Sequence, residues 1–299
     1  MKTHLRNVML CLVVLAGGCG GGDETESTMD NATVDDTTGG EGMATNTPDN
    51  TPPPPAEPTP PPPAPARVRV IHASPDAATA AAAVYLDGAA TPAIASLAYK
   101  AAAGYAEVPA GVHQVAIRPA AAAADSAPAL QGPTPELAAG VSYTVIAHGL
   151  VAGTPALAMA AAADDGPAPA PDRAHIRFFH ALAGVANVDI CLPGANARAA
   201  GTPVFANVAY GAFGAASGEG SHGAYAGVPA GAAVTLQIRA ANEATPCSGR
   251  QAGSVSITPT TGVWTAVAVG RATGRPAVAK ELLLLSDGST EVTTVAIGR

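Results

Sequence analysis

From residue 67 onward, apolar residues come in short runs broken by Gly, Pro, Asp and Asn at roughly ten-residue intervals. Runs of that length and spacing predict about seven short strands per hundred residues, which is the pattern of an all-β sandwich. The alanine runs at 80–83, 101–103 and 120–124 have high helix propensity. Their shortness and their neighbours Gly104, Pro119 and Pro128 assign them to loops and strand ends instead. Before residue 67 the pattern is missing. Residues 20–66 are Gly, Thr, Asp, Glu and Asn followed by a Pro-rich run, a composition that cannot bury a core and predicts a disordered tether.

The second half of the patterned region repeats the first. Arg67-Val-Arg-Val-Ile-His72 aligns with His175-Ile-Arg-Phe-Phe-His180, and Val84-Tyr-Leu-Asp-Gly88 with Ile190-Cys-Leu-Pro-Gly194. Leu97-Ala-Tyr99 aligns with Val208-Ala-Tyr210, and Tyr105-Ala-Glu-Val-Pro-Ala-Gly111 with Tyr225-Ala-Gly-Val-Pro-Ala-Gly231. Val115-Ala-Ile-Arg118 follows with Leu236-Gln-Ile-Arg239, Tyr143-Thr-Val-Ile-Ala-His-Gly149 with Trp264-Thr-Ala-Val-Ala-Val-Gly270, and Pro155–Gly166 with Pro276–Gly288. Seven blocks in one order predict two copies of a domain, at 67–166 and 173–299, the second ending in an additional strand. The linker 167–172, with Pro167, Pro169 and Pro171, is short and stiff, so a limited range of relative orientations is expected.

The amino terminus has a different organisation. Lys2 and Arg6 precede the apolar run Val8–Ala16, which is too short to span a bilayer and predicts a signal peptide over 1–18. Leu15-Ala16-Gly17-Gly18-Cys19 resembles a bacterial lipobox with one extra Gly. The resemblance implies that Cys19 is acylated and anchors the chain stably, since each buried CH₂ contributes about 0.8 kcal/mol. Gly20 rather than Asp after Cys19 implies sorting to the outer membrane of a bacterial cell envelope, with the face left open. Residues 19–66 then form a spacer. Its segment Pro52–Pro65, at about 3.1 Å per residue, would reach roughly 43 Å as polyproline II.

The Arg-Val-x-x-His start, the Val-Tyr-x-Asp-Gly strand, the Tyr-x-x-Val-Pro-Ala-Gly corner and the late Tyr-Thr-Val-x-Ala-x-Gly strand are similar to the bacterial domain-of-unknown-function family numbered 4397. The resemblance covers most of 67–288. The second copy departs from it by a longer insertion and by Pro193 where the first has Asp87. It implies two tandem immunoglobulin-like β-sandwiches on an exported, surface-anchored protein, and carries no established reaction.

Composition and charge narrow the function classes. The chain's 71 Ala, 33 Gly and 28 Pro leave only 4 % aromatic and 13 % charged residues, so apolar surface comes from small side chains and each core is modest. A formal charge of -8 lacks the positive footprint that nucleic acid requires. The acidity is uneven: 20–66 holds nine acids and no base, whereas 67–299 holds 13 basic and 14 acidic residues. Self-repulsion therefore extends the spacer, and the domains are nearly neutral.

Candidate chemistry is sparse. His72 and His180 end equivalent strands, where a buried imidazole bonded to a carbonyl or carboxylate would fix the next turn. Metal ligation needs further convergent ligands that the spacing does not supply, so no metal and no cofactor are expected. His148 has Val269 as its counterpart. Arg69, Arg177, Arg118 and Arg239 form matched pairs expected to face solvent in cross-strand ion pairs, with Asp87 as one partner. Tyr105 and Tyr225 are expected to pack at the Val-Pro-Ala-Gly corners. Only the second copy has the insertion Gly211–Gly223, whose Phe213, Glu219, Ser221 and His222 are candidates for binding a ligand or partner. Cys191 and Cys247 are expected to pair in an oxidising compartment, enclosing 57 residues. These features point to a non-enzymatic, membrane-anchored binding, adhesion or scaffolding module for a surface protein or glycan. The rival expectations are a carbohydrate-active or other hydrolytic envelope enzyme using the insertion, and a self-associating structural protein.

Overall fold

The computed structural model describes residues 61–77, 81–196, 199–218, 220–273 and 277–298. The signal peptide, Cys19, the spacer as far as residue 60 and Glu219 lie outside the described residues.

Alternation along β1 (Ala66–His72) sets the first sandwich. Val68 and Val70 turn inward beside Val84, Ile117 and Val145, while Arg69 and Ile71 point to the opposite face. β1 lies in a sheet of order β4-β1-β7-β8, with β4 (Ala106–Val108), β7 (Ser142–His148) and β8 (Ala158–Ala163). Facing it is the sheet β3-β2-β5-β6, with β2 (Ala82–Leu86), β3 (Ile94–Leu97), β5 (Gln114–Pro119) and β6 (Leu130–Pro133).

The second sandwich repeats this order. Its sheets are β12-β9-β15-β16-β17 and β11-β10-β13-β14. The strands are β9 (Arg173–Ala183), β10 (Val188–Leu192), β11 (Thr202–Val208), β12 (Tyr225–Pro229), β13 (Val234–Ala240), β14 (Gln251–Ile257), β15 (Gly262–Arg271), β16 (Val278–Ser286) and β17 (Thr293–Ala296). In both, the first strand pairs in parallel with the seventh, Val68 opposite Tyr143 and Ile176 opposite Trp264. The first and second strands sit in opposite sheets, whereas the constant-type immunoglobulin order keeps them in one. The repeated Ala-x-Gly at the end of the seventh strand has a steric cause. Gly149 and Gly270 have φ of +96° and +127°, and a Cβ there would lie 2.1 and 2.3 Å from the carbonyl oxygens of Ala156 and Ala279.

The two sandwiches pack on each other. Ile71 and Ile146 of the first join Phe179, Val267, Val269, Leu283 and Leu285 of the second in one buried cluster, on the faces of β1, β7, β9, β15 and β16 turned away from their own interiors. The result is four stacked β layers, with the parallel strand pairs in the middle two. Side-chain packing, rather than linker stiffness alone, fixes the relative orientation.

Cys191 and Cys247 form a disulfide with Cα atoms 6.0 Å apart. The neighbouring Asp189, fully buried, accepts backbone N–H bonds from Asn207 (2.8 Å), Cys247 (2.9 Å) and Asn242 (3.2 Å). This carboxylate holds the loop that presents Cys247 to Cys191.

Candidate functional site

The equivalent arginines do not face solvent. Arg69 and Arg177 are 0 % and 1 % exposed, because the outward face of each first strand is covered by the other sandwich. Arg69 donates from Nε to Thr144 Oγ1 (2.7 Å), and from Nη2 to Thr265 Oγ1 (3.3 Å) and Asp287 Oδ1 (2.7 Å). Its Nη1 reaches the carbonyl of Ser286 at 3.2 Å. Arg177 mirrors this from the other side: Nε to Thr265 Oγ1 (2.9 Å), Nη1 to the carbonyl of Ala163 (2.9 Å), and Nη2 to Thr144 Oγ1 (2.8 Å) and to Asp164.

Each guanidinium thus crosses to the carboxylate of the other sandwich, and the two threonines are shared. The strand register makes Ala163 and Ser286 equivalent, since they lie opposite Tyr143 and Trp264, so Asp164 and Asp287 are equivalent too. Asp287 remains a quarter exposed while Asp164 is 3 % exposed. Burial pushes the Asp287 carboxyl above its usual range against the opposing pull of Arg69 and Arg177. Tyr105 donates to Asp164 and lies under Arg69, 5.1 Å from its guanidinium carbon. Tyr225 lies 5.5 Å from Arg177, its hydroxyl pushed up to about 12 by burial. Arg118 stacks on Tyr85, Arg239 is buried with Nη1 on the carbonyl of Gly249, and Asp87 bonds His113 at 2.7 Å instead.

Histidines occupy the far end of this seam. His148 packs edge-on against Phe179 and Tyr210 of the second sandwich at 5.2 and 5.4 Å, and a Cβ on Gly211 would lie 2.7 Å from its ring. No repeated pattern marks this contact, because Val269 stands at the equivalent position of the second sandwich. His72 and His180 accept the N–H of Ser74 and Leu182 two residues on, each at 3.3 Å, which fixes the following turn. His180 Nε2 also meets the carbonyl of Ala186 at 3.1 Å, whereas His72 Nε2 has no partner among the described residues. Burial lowers both His72 and His148 to about 4.

The insertion folds back on the second sandwich. Phe213 bridges to Phe179, with ring centroids 4.8 Å apart, and lies 5.2 Å from the guanidinium carbon of Arg177. Ser221 donates to the carbonyl of Ser217 (2.9 Å), and the His222 ring lies 5.1 Å from that of His175. Ser221, His222 and His180 therefore have separate partners, and Phe213 closes the seam. Among the described residues no group of three or more His, Cys, Asp or Glu is placed to hold a metal ion.

Two equivalent clefts lie at one shared end of the two sandwiches. In the second, the ends of β9 and β13 and the start of β10 border a cleft of about 640 Å³ above the buried Leu182, Val188 and Ile238; Val185, Ala240 and Ala252 reach its surface, and Arg250 and Lys280 are its charged lining. In the first, His72, Ala82, Ile117 and Leu157 line the corresponding cleft, of about 230 Å³.

Residues 66–191 match the family described as "Domain of unknown function (DUF4397)". The DUF4397 match begins with β1 and ends at Cys191 in β10, so it spans the first sandwich and the opening strands of the second. No curated protein matches the chain. A solved structure described as "Alpha-glucan binding by a streptococcal virulence factor" aligns at 12 % identity and a TM-score of 0.23, over 67 % of this chain and 91 % of that one.

Proposed function

We propose that this chain is a non-enzymatic lipoprotein of a bacterial envelope: two DUF4397 sandwiches, held off the outer membrane by an acidic, Pro-rich spacer on an acylated Cys19, act as one binding module. The anchor rests on the Lys2–Cys19 pattern, and the second DUF4397 copy on the repeated strand order. The observation that carries the binding reading is the cleft in the second sandwich. It is concave, mostly apolar and of small-molecule size, and it belongs to a body whose two halves are locked by a buried arginine seam. Locking of that kind presents a recognition site without ordering cost on binding.

Two measurements test the reading. In membrane fractionation the unaltered chain should pellet with lipid and Cys19→Ala should become soluble; pelleting of both would overturn the anchor. Immobilised full-length protein should retain a component of envelope extracts, and Ala240→Trp, at an exposed position of the cleft lining, should abolish retention. Equal retention by both chains would overturn the cleft as the binding surface.

A further inference from the structure

The two terminal clefts began as copies, and their divergence is chemical. Along β16, Leu282 and Leu284 point into the second sandwich, while Glu281 points to the seam and bonds Lys100 at 2.8 Å. Lys280 shares the inward register of Leu282. A cation therefore stands where the strand should continue its apolar face, at the point where the sandwich opens. Its Nζ donates to the carbonyl of Ala252 at 3.1 Å, a neutral partner, and among the described residues it has no carboxylate partner. Register identifies the position in the first sandwich: Ala158 lies opposite His148 as Glu281 lies opposite Val269, so Leu157 stands where Lys280 does.

The second cleft adds Arg250, which is exposed on the rim, and Gln251 beside it. Neither an acidic nor an aromatic side chain lines it among the described residues. The first cleft instead lines its mouth with Asp76, which meets Arg271 at 3.2 Å, and Arg118. The second is thus an aliphatic pocket with a purely cationic edge. Without an aromatic platform it does not suit a stacked neutral sugar.

We propose that the cleft of the second sandwich binds an amphiphilic carboxylate, with an aliphatic body over Val185, Ala240 and Ala252, which reach the cleft surface, and its carboxylate between Lys280 and Arg250. This rests on the binding-module reading and names its ligand class. The carboxylate supplies Lys280 with the charged acceptor that Ala252 does not, and charge-assisted bonds of this type are the stronger ones.

The probe is octanoate, titrated calorimetrically into the chain 20–299, which lacks the signal peptide and Cys19, with 1-octanol and acetate as partial mimics. Octanoate should bind, and each mimic at least about tenfold more weakly. Lys280→Leu installs the residue the first sandwich carries, and should weaken octanoate about tenfold while leaving octanol unchanged. Arg250→Ala lies on the exposed rim, perturbs no packed side chain, and should weaken octanoate by a smaller factor. Equal affinity for octanoate and octanol, or octanoate binding unaltered by both substitutions, would overturn the proposal. Absence of octanoate binding would overturn it as well. If Ala240→Trp still abolished retention of envelope components, the binding module would stand with another ligand class; if it did not, both would fall.

Discussion

The first sandwich builds its interior from Val70, Val84, Leu97, Val115 and Ile117 with several alanines, whereas the second adds Phe178, Phe205, Leu236, Ile238, Leu282 and Leu284. The second also owns the disulfide, the buried Asp189 that organises its loop, and β17, which reaches from one sheet to the other through Ser254 and Gly298. The two sandwiches share one strand order and reach stability by different routes. The first, poor in large side chains, leans on the seam, where Ile71, Ile146 and His148 find their partners in its neighbour. An alanine-rich sandwich near the lower limit of useful core size gains most from a partner that covers one sheet face.

The sharpest test of this asymmetry is the arginine pair. Arg177→Leu leaves the almost wholly buried Asp164 with the hydroxyls of Tyr105 and Thr144 but without its ion-pair partner, and should cost about 3–5 kcal/mol in urea unfolding. Arg69→Leu leaves Asp287, which still reaches water, and should cost about 1–3 kcal/mol. Equal losses would show that the two halves of the seam are energetically interchangeable. Next in size is the disulfide, which closes a separation of 56 residues. Its removal in the Cys191→Ala, Cys247→Ala double variant should cost about 2–4 kcal/mol. If the seam couples the sandwiches, calorimetry will show one transition moved as a whole; two transitions with only one displaced would mean that the first sandwich stands alone.

Phe213→Ala probes the part that only the second copy possesses. The ring closes the seam against Phe179, and its loss should cost about 2–4 kcal/mol by denaturant titration. A loss below about 0.5 kcal/mol would return the insertion to the status of a surface loop.

The repeat, the strand spacing and the cysteine pairing were legible because each is a pattern along one chain. The seam was not, for a definite reason. Arg69 and Arg177 alternate with apolar neighbours as solvent-facing strand residues do, and only the presence of a second sheet against that face turns them inward. Matched arginines in both copies were the available signal, but pairing across copies is invisible to an alignment of one copy with the other. Phe213 was noticed for its position in an insertion, and its role is decided by Phe179, far away in sequence. Lys280 drew no notice because an isolated lysine in a strand is ordinary; its meaning comes from the register that points it inward. The signal peptide, Cys19 and most of the spacer remain sequence readings, since they fall outside the described residues.

Acid provides the finest distinction between the sandwiches. His72 and His148, both in the first, are lowered from 6.5 to about 4 by burial. The unfolded chain therefore binds protons more readily between those values. Stability is complete above pH 6.5 and falls as the pH drops through the window, by up to about 1.4 kcal/mol per pH unit for each histidine. His180 in the second sandwich shifts in the same direction, with the Ala186 carbonyl opposing its burial. Two groups act with the opposite sign: His113, raised by its bond to Asp87, and Asp287, raised by burial. Their contributions are common to the unaltered chain and to a His148 variant, so the difference in slope between the two over about pH 4 to 6.5 isolates that histidine. His148→Val gives the first sandwich the residue that the second carries as Val269, and removes one titrating group while keeping the position apolar. Urea unfolding across that range should lose about 1.4 kcal/mol per pH unit of slope at most, with stability at pH 7 little changed. An unaltered slope would mean that the seam opens to water around His148 before the sandwiches unfold, and that the first sandwich does not depend on its neighbour at that end.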